Sequence, residues 1–176
     1  LRDRQYRGPA KLSPDEHSRL QFLAAISQEM PSRKVAVAGN HGPPVLLYSD
    51  ASFDEKDATP GLGWVVMAPG QRPVGRACRM SPEAMAALKP RKTQIYPGEV
   101  FAVLAAIFEH ADLLMNKDAI FFIDNEGGGA SCIRGSSTQD DVASMVQAIH
   151  WKFMKIGCRA WFEWVDTEAN CADGLS

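Results

Sequence analysis

Long apolar runs, paired cysteines and an excess of either charge are all missing from this sequence. No apolar stretch reaches the roughly 20 residues that a membrane span needs. The longest, Val100–Ile107, is bounded by Glu99 and Glu109. The start, LRDRQYRGPAKLSPDEH, is too polar to be expected to act as a secretory signal. It also has no initiator Met, so the chain is expected to be a piece of something longer. The four cysteines, Cys78, Cys132, Cys158 and Cys171, show no C-x-x-C spacing. That argues against a zinc site and for a reduced, intracellular protein, cytoplasmic or nuclear, with no membrane partner. The formal net charge is −2, so there is no global basic field to attract nucleic acid. Any such contact must come from local patches such as Arg72/Arg76/Arg79 or Lys89/Arg91/Lys92. Histidine is scarce too: His17, His41, His110 and His150 are the four. None is an evident partner for Ser131, Cys132 or Ser136, which argues against nucleophilic catalysis. His110 and His150 read as helix-surface residues.

What is present is an ordinary globular composition, 45% hydrophobic and 23% charged over 176 residues, enough for one domain with a short appendage. Ser13-Pro14-Asp15-Glu16 has the marks of a helix start, with Ser at the N-cap, Pro at N1 and Glu at N3. Leu20, Phe22, Leu23 and Ile26 supply an apolar stripe before Pro31. Pro31–Pro44 is rich in Pro and Gly and reads as a connector. Residues 1–44 are therefore expected to be a helix plus connector, docked on the domain or forming the tail of a preceding one. Residues 45–176 are expected to be the domain proper.

Within that domain three apolar runs, from Val45, Leu62 and Val74, are joined by turn-rich segments and predict an antiparallel meander. A brief helix is expected from Ser81-Pro82-Glu83 to Leu88, then a long one over Gly98–Leu114. Ala119–Ile123 is a fully apolar strand closed by Asp124. Gly127-Gly128-Gly129 follows, read as a flexible strand-to-helix turn, with a phosphate cradle as the alternative. Ser137–Gly157 predicts a helix with Val142, Met145, Val146, Ile149 and Phe153 as its core stripe. Cys158–Val165 is a fifth strand, with Trp161, Trp164 and the earlier Trp64 expected in the core. A last helix is expected to begin at ADGLS. The order β-β-β-α-β-α-β-α predicts an α/β domain: a five-stranded mixed sheet, its first three strands antiparallel, with helices on both faces.

Four acids stand out. Asp50, in VLLYSDASF, and Asp124 each close an apolar strand. In an open sheet with crossover helices, neighbouring strand ends form the edge where ligands bind. Strands lie about 4.8 Å apart, so two such carboxylates can share a divalent ion. Glu99 is placed in the first turn of its helix, where the helix dipole favours an anion. Asp173 sits near the start of the last helix. Each also has a plain structural reading: Asp50 as a turn starter, Glu99 and Asp173 as helix-start acids.

Together, YSDAS, TQIYPGEVFAVLAAI, FFIDNEGG and WVDTEANCADGLS, in that order, resemble the ribonuclease H domain of retroelement reverse transcriptases, of the DIRS-like or gypsy-like kind. The resemblance covers roughly residues 45–176. It implies a ribonuclease H-like fold, with Asp50, Glu99, Asp124 and Asp173 as catalytic metal ligands. Ser52, Asn125 and Asn170, inside the same motifs, are candidate substrate contacts. The cofactor implied is a pair of Mg²⁺ ions, with Mn²⁺ as substitute. Two such ions roughly 4 Å apart lower the pKa of the attacking water and stabilise the leaving oxygen. The partners implied are an RNA–DNA hybrid, cut in its RNA strand, and an upstream polymerase domain. The mobile His-bearing loop and the basic helical handle of many ribonucleases H are missing. A 3′–5′ exonuclease would place a second acid where Ser52 stands, and integrases put their third acid on a late helix. A ribonuclease H-like module used for protein or RNA docking is the non-enzymatic alternative.

Overall fold

The structure, a computed structural model, describes residues 11–29, 42–54, 56 and 59–176. The chain divides into two units, Leu1–Val35 and Ala36–Ser176. In the first, α1 spans Pro14–Glu29. Its start is a reciprocal cap: the Glu16 N–H donates to Ser13 Oγ at 3.2 Å and the Ser13 N–H donates to Glu16 Oε2 at 2.8 Å. Most of the Pro31–Pro44 connector lies outside the described residues, and β1 begins at Val45, directly after it.

The second unit is built on a five-stranded sheet in the order β3-β2-β1-β4-β5. These are β1 (Val45–Ser52), β2 (Gly61–Met67), β3 (Val74–Arg79), β4 (Asp118–Ile123) and β5 (Arg159–Trp164). β1, β2 and β3 are antiparallel neighbours, while β4 and β5 run parallel to β1. The register sets Val45 against Ala119 and Ser49 against Ile123, as the two apolar runs require. Between the strands lie α2 (Pro82–Ala86), α3 (Ile95–Glu109), α4 (Ala111–Leu114), α5 (Glu126–Arg134) and α6 (Asp140–Ile156), and 3₁₀ turns at Thr167–Ala169 and Asp173–Leu175 close the chain.

Strand alternation decides where the core sits. Val45, Leu47, Leu62, Trp64, Val66, Ala119, Phe121 and Ile123 are all buried on one face of the sheet. Against it pack Val100, Val103 and Ile107 of α3, and Val142, Val146, Ile149 and Phe153 of α6, the stripe expected there. Phe121 is at its centre, with the rings of Phe153 and Phe162 at 5.2 and 5.3 Å. Arg91 pairs with Asp141 at 2.5 Å, and the Lys89 N–H donates to the same carboxylate at 2.8 Å. Burial pushes Asp141 up, but these donors outweigh it and hold the carboxyl at about 2. The entry to α3 is thereby pinned to the start of α6.

Several boundaries differ from those read in the sequence. β1 runs on through Asp50 to Ser52, because β2 pairs with it as far as Ser52 opposite Gly61. α3 begins at Ile95 rather than Gly98, since Pro97 falls in its first turn, where no N–H is required. The three glycines lie inside α5, not in a turn, because Asn125 caps the helix by accepting from the Gly128 N–H at 2.9 Å. His110 is buried and receives the Trp64 indole N–H at 3.3 Å, so it is no surface residue. Trp64 is core as expected, but Trp161 and Trp164 are 62% and 55% exposed, since β5 is an edge strand. The expected last helix is only a 3₁₀ turn.

These positions separate by stability. Phe121→Ala should cost about 3–5 kcal/mol in urea unfolding, the range for a buried Phe. Trp161→Ala should cost less than about 1 kcal/mol, as for other exposed sites. Equal losses would mean that β5 is not an edge.

Candidate metal centre

Three carboxylates meet where β1, β4 and α3 come together. Asp50 lies in β1 and Asp124 is the first residue past β4, so the parallel register that pairs Ser49 with Ile123 sets them side by side. α3 crosses β1 closely because residue 98 has no side chain. A β-carbon on Gly98 would lie 3.1 Å from Cβ of Ala51 and 3.3 Å from Cβ of Pro60. That approach brings Glu99 in beside Asp50. One carboxylate oxygen each from Asp50, Glu99 and Asp124 lies within 4.8 Å of the other two.

Glu99 is in the second turn of α3, not the first, because the helix starts earlier than expected. The dipole argument for it therefore falls. Packing holds it instead: Glu99 is 3% exposed, and its Oε2 is buried with no hydrogen-bond partner. Burial, followed by the charges of Asp50 and Asp124, pushes its carboxyl up to about 9 against the Ala51 N–H, which favours the anion. Asp50 is raised as well, first by burial and then by Asp124 and Asp173, while Ser176 and the Ala51 N–H pull the other way.

The cluster forms the floor of an open cleft of about 400 Å³, lined by Asp50, Ala51, Ser52, Glu99, Asp124, Asn125, Thr167, Asp173 and Ser176. None of these residues is basic. Asp173 stands apart from the other three acids: it is exposed on the C-terminal turn, lines the cleft and reaches Asp50 through its charge. Ser52 is on the exposed rim. Asn125 lines the cleft while capping α5. Asn170 does not line it. It is buried, its Nδ2 donating to the Ser49 carbonyl and its Oδ1 accepting from the Ala172 N–H, both at 3.1 Å. It ties the C-terminal turn to β1.

Three contributors escaped sequence reading. The Ser176 hydroxyl donates to Asp50 Oδ2, and its place in the ADGLS motif was the only available signal. Thr167 lines the cleft, and the Trp164 indole donates to the Asp124 carbonyl at 3.0 Å. Neither had a signal in the sequence.

The donors suit a hard divalent cation. Carboxylate oxygens are the ligands that Mg²⁺ and Mn²⁺ favour, while thiolate and imidazole are absent from the lining. The unpartnered Glu99 Oε2 is a buried acceptor that nothing among the described residues satisfies, and a bound cation would satisfy it.

No known sequence family matches the chain, and no curated protein matches it in sequence. Solved structures do match in fold. RNase H1 from the halophilic archaeon Halobacterium salinarum superposes with a TM-score of 0.55 at 17% identity, covering 76% of this chain and 94% of that one. The N-terminal RNase H domain of a Mycobacterium tuberculosis protein gives 0.52 at 19% identity, covering 77% and 91%. LC11-RNase H1, solved in complex with an RNA/DNA hybrid, gives 0.51 at 14%, covering 74% and 92%. The fold is ribonuclease H-like.

A raised carboxyl makes metal-free stability depend on pH in a defined direction. Between the ordinary value of 4.5 and the folded value of about 9, the folded protein keeps a proton on Glu99 that the unfolded chain releases. Stability therefore falls as pH rises through that window. In EDTA, Glu99→Gln should melt higher than the parent near pH ~8 and alike near pH ~4. Added Mg²⁺ should raise the parent more than the variant. A variant that melts below the parent at the higher pH would contradict the strained-cluster account.

Proposed function

We propose that this chain is a divalent-metal-dependent ribonuclease H, an endonuclease that cleaves the RNA strand of RNA–DNA hybrids and leaves a 3′ hydroxyl and a 5′ phosphate. The observation that carries the proposal is the Asp50–Glu99–Asp124 cluster, built without a countercharge at the strand ends of a ribonuclease H-like sheet. The hybrid seen with LC11-RNase H1 is the natural substrate class to test.

Asp50, Glu99, Asp124 and, from the C-terminal turn, Asp173 would hold the ions. Bound there, a pair of Mg²⁺ ions would lower the pKa of the attacking water and neutralise charge on the phosphate and leaving oxygen. The chain's own part is to position and to exclude. β1 and β4 fix the first and third carboxylates through backbone pairing, and burial keeps water from solvating Glu99. Ser176 and the Ala51 N–H restrain Asp50 and hold it toward its charged form. Ser52, Asn125 and Thr167, which line the cleft, would hydrogen-bond the strand being cut, including the 2′-hydroxyls that distinguish RNA from DNA. Neither His110 nor His150 takes part: His110 is occupied by Trp64, and His150 contacts the Cys132 carbonyl at 2.8 Å.

The YSDAS, FFIDNEGG and ADGLS motifs further support a place within a retroelement reverse transcriptase, with a polymerase domain upstream and work in the cytoplasm or nucleus. In that setting residues 1–44 would join the two domains, and removing residues 1–30 should leave the rest folded by circular dichroism. No helix among the described residues is long and apolar enough to cross a membrane.

The test is cleavage of labelled hybrid, duplex RNA and duplex DNA in Mg²⁺ and in Mn²⁺, alone and joined to the upstream region. Hybrid should be cut and duplex DNA spared. Asp50→Asn and Asp124→Asn should each lower the rate about 100-fold or more while the fold survives, since several kcal/mol of transition-state stabilisation go with the metal. Equal cleavage by Asp50→Asn and parent would refute the metal-site reading. Inactivity of every form in every context would leave the docking module as the better reading.

A further inference from the structure

The fourth acid has no strand or long helix to hold it. Asp173 opens a three-residue 3₁₀ turn, Asp173–Leu175, whose end returns to the sheet. The seat for that turn is a patch of missing side chains. Gly61 and Gly63 of β2, two residues apart, project to the same face, and Gly75 of β3 pairs with Val65 on that face. A β-carbon on Gly63 would lie 2.8 Å from the Ser176 nitrogen, 2.9 Å from the Ala172 carbonyl oxygen and 2.9 Å from the Leu175 carbonyl carbon. These are all backbone atoms, so no side-chain rotation relieves the overlap. On Gly61 it would meet the Ser176 carbonyl carbon at 2.8 Å and Ser52 Oγ at 2.6 Å. On Gly75 it would meet only the Leu175 Cδ1 tip, at 3.2 Å. Gly174, inside the turn, faces open space.

Register gives the seat its purpose. Gly63 pairs directly with Asp50 across the β1–β2 ladder, so a turn resting on Gly63 is delivered beside Asp50. The Ser176 hydroxyl then reaches Asp50 Oδ2, and Asp173 faces the cleft from the side opposite Glu99's helix. Ala172, fully buried, and the Asn170 amide anchor the other end.

We infer that Gly63, supported by Gly61, is a positioning residue for Asp173: its missing side chain lets the C-terminal turn lie against β2 closely enough for the fourth carboxylate to act with Asp50. The inference rests on the proposed role of Asp173 as a metal ligand. It goes further in assigning that ligand's placement to a close backbone contact from another strand.

The test counts metal ions on the full chain without relying on catalysis. Parent, Asp173→Asn, Gly63→Ala, Gly61→Ala, Gly174→Ala and the Gly63→Ala/Asp173→Asn double variant are titrated with Mn²⁺. Electron paramagnetic resonance reports the free ion, and circular dichroism melts follow the fold. The parent should bind two ions. Asp173→Asn and Gly63→Ala should each weaken the second ion by about tenfold or more, the usual size of a lost orienting contact, and leave the first unchanged. The double variant should be no worse than either single one, because both changes remove the same ligand. Gly61→Ala should weaken the second ion in the same sense, and Gly174→Ala should match the parent. Two ions bound normally by folded Gly63→Ala would overturn the seat. So would a Gly63→Ala that unfolds beside a Gly61→Ala that binds both ions as the parent does. A parent binding two ions with Asp173→Asn losing one upholds the ligand reading whatever the glycine variants do. A parent indifferent to Asp173→Asn removes that reading and the seat with it.

Discussion

Asp50, Glu99 and Asp124 repel one another, and much of this domain can be understood as what keeps them together. Two ionised carboxylates within 4.8 Å in a partly buried setting oppose folding by at least roughly 3 kcal/mol. The protein meets that cost partly by leaving Glu99 protonated, its carboxyl raised to about 9 by burial and by its two neighbours. The rest is met by rigid anchorage. Two of the acids are fixed by parallel strand pairing, the third by a helix packed so closely on β1 that a β-carbon at residue 98 would lie only 3.1 Å from that of Ala51. Such a crowded cluster of hard oxygen donors suits a divalent cation, whose charge would offset the repulsion.

At the carboxyl ends of β1 and β4 the polar groups converge on a cleft. Elsewhere in the domain several side chains are paired: Arg91 with Asp141, Arg159 with Asp118, the Trp64 indole with His110. None of those pairs leaves a buried acceptor without a partner, whereas Glu99 Oε2 is left so. Among the described residues Ser49 Oγ and Gln139 Oε1 are the other buried side-chain polar atoms without a partner, and neither belongs to a carboxylate.

The succession of strands and helices along the chain, and Asp50 and Asp124 with it, could be read from the sequence because they rest on local signals. Alternation in Val45–Leu47 and the apolar run Ala119–Ile123 mark buried strands, and an ionisable residue at the end of each is conspicuous. The reading faltered where tertiary contacts override local preference. Glycine-rich α5 is helical because Asn125 caps it and the sheet supports it. Trp161 and Trp164 look like core residues until strand order puts β5 at an edge. Asn170 sits in the same motif as Asp173, yet its amide is occupied within the fold. Contacts between segments distant in sequence, such as Gly63 against Ser176, leave no local trace, because only the folded chain brings them face to face.

The central claim is that the three converging carboxylates are a cation site. Its most direct measurement is a crystal structure of the full chain grown with Mn²⁺, with anomalous scattering recorded above the manganese edge. The account predicts an anomalous peak bonded to oxygens of Asp50, Glu99 and Asp124, with Glu99 Oε2 among the ligands, and no such peak in crystals of Asp50→Asn. A parent crystal saturated with Mn²⁺ that shows no peak among these carboxylates, or a peak unaffected by Asp50→Asn, would contradict it.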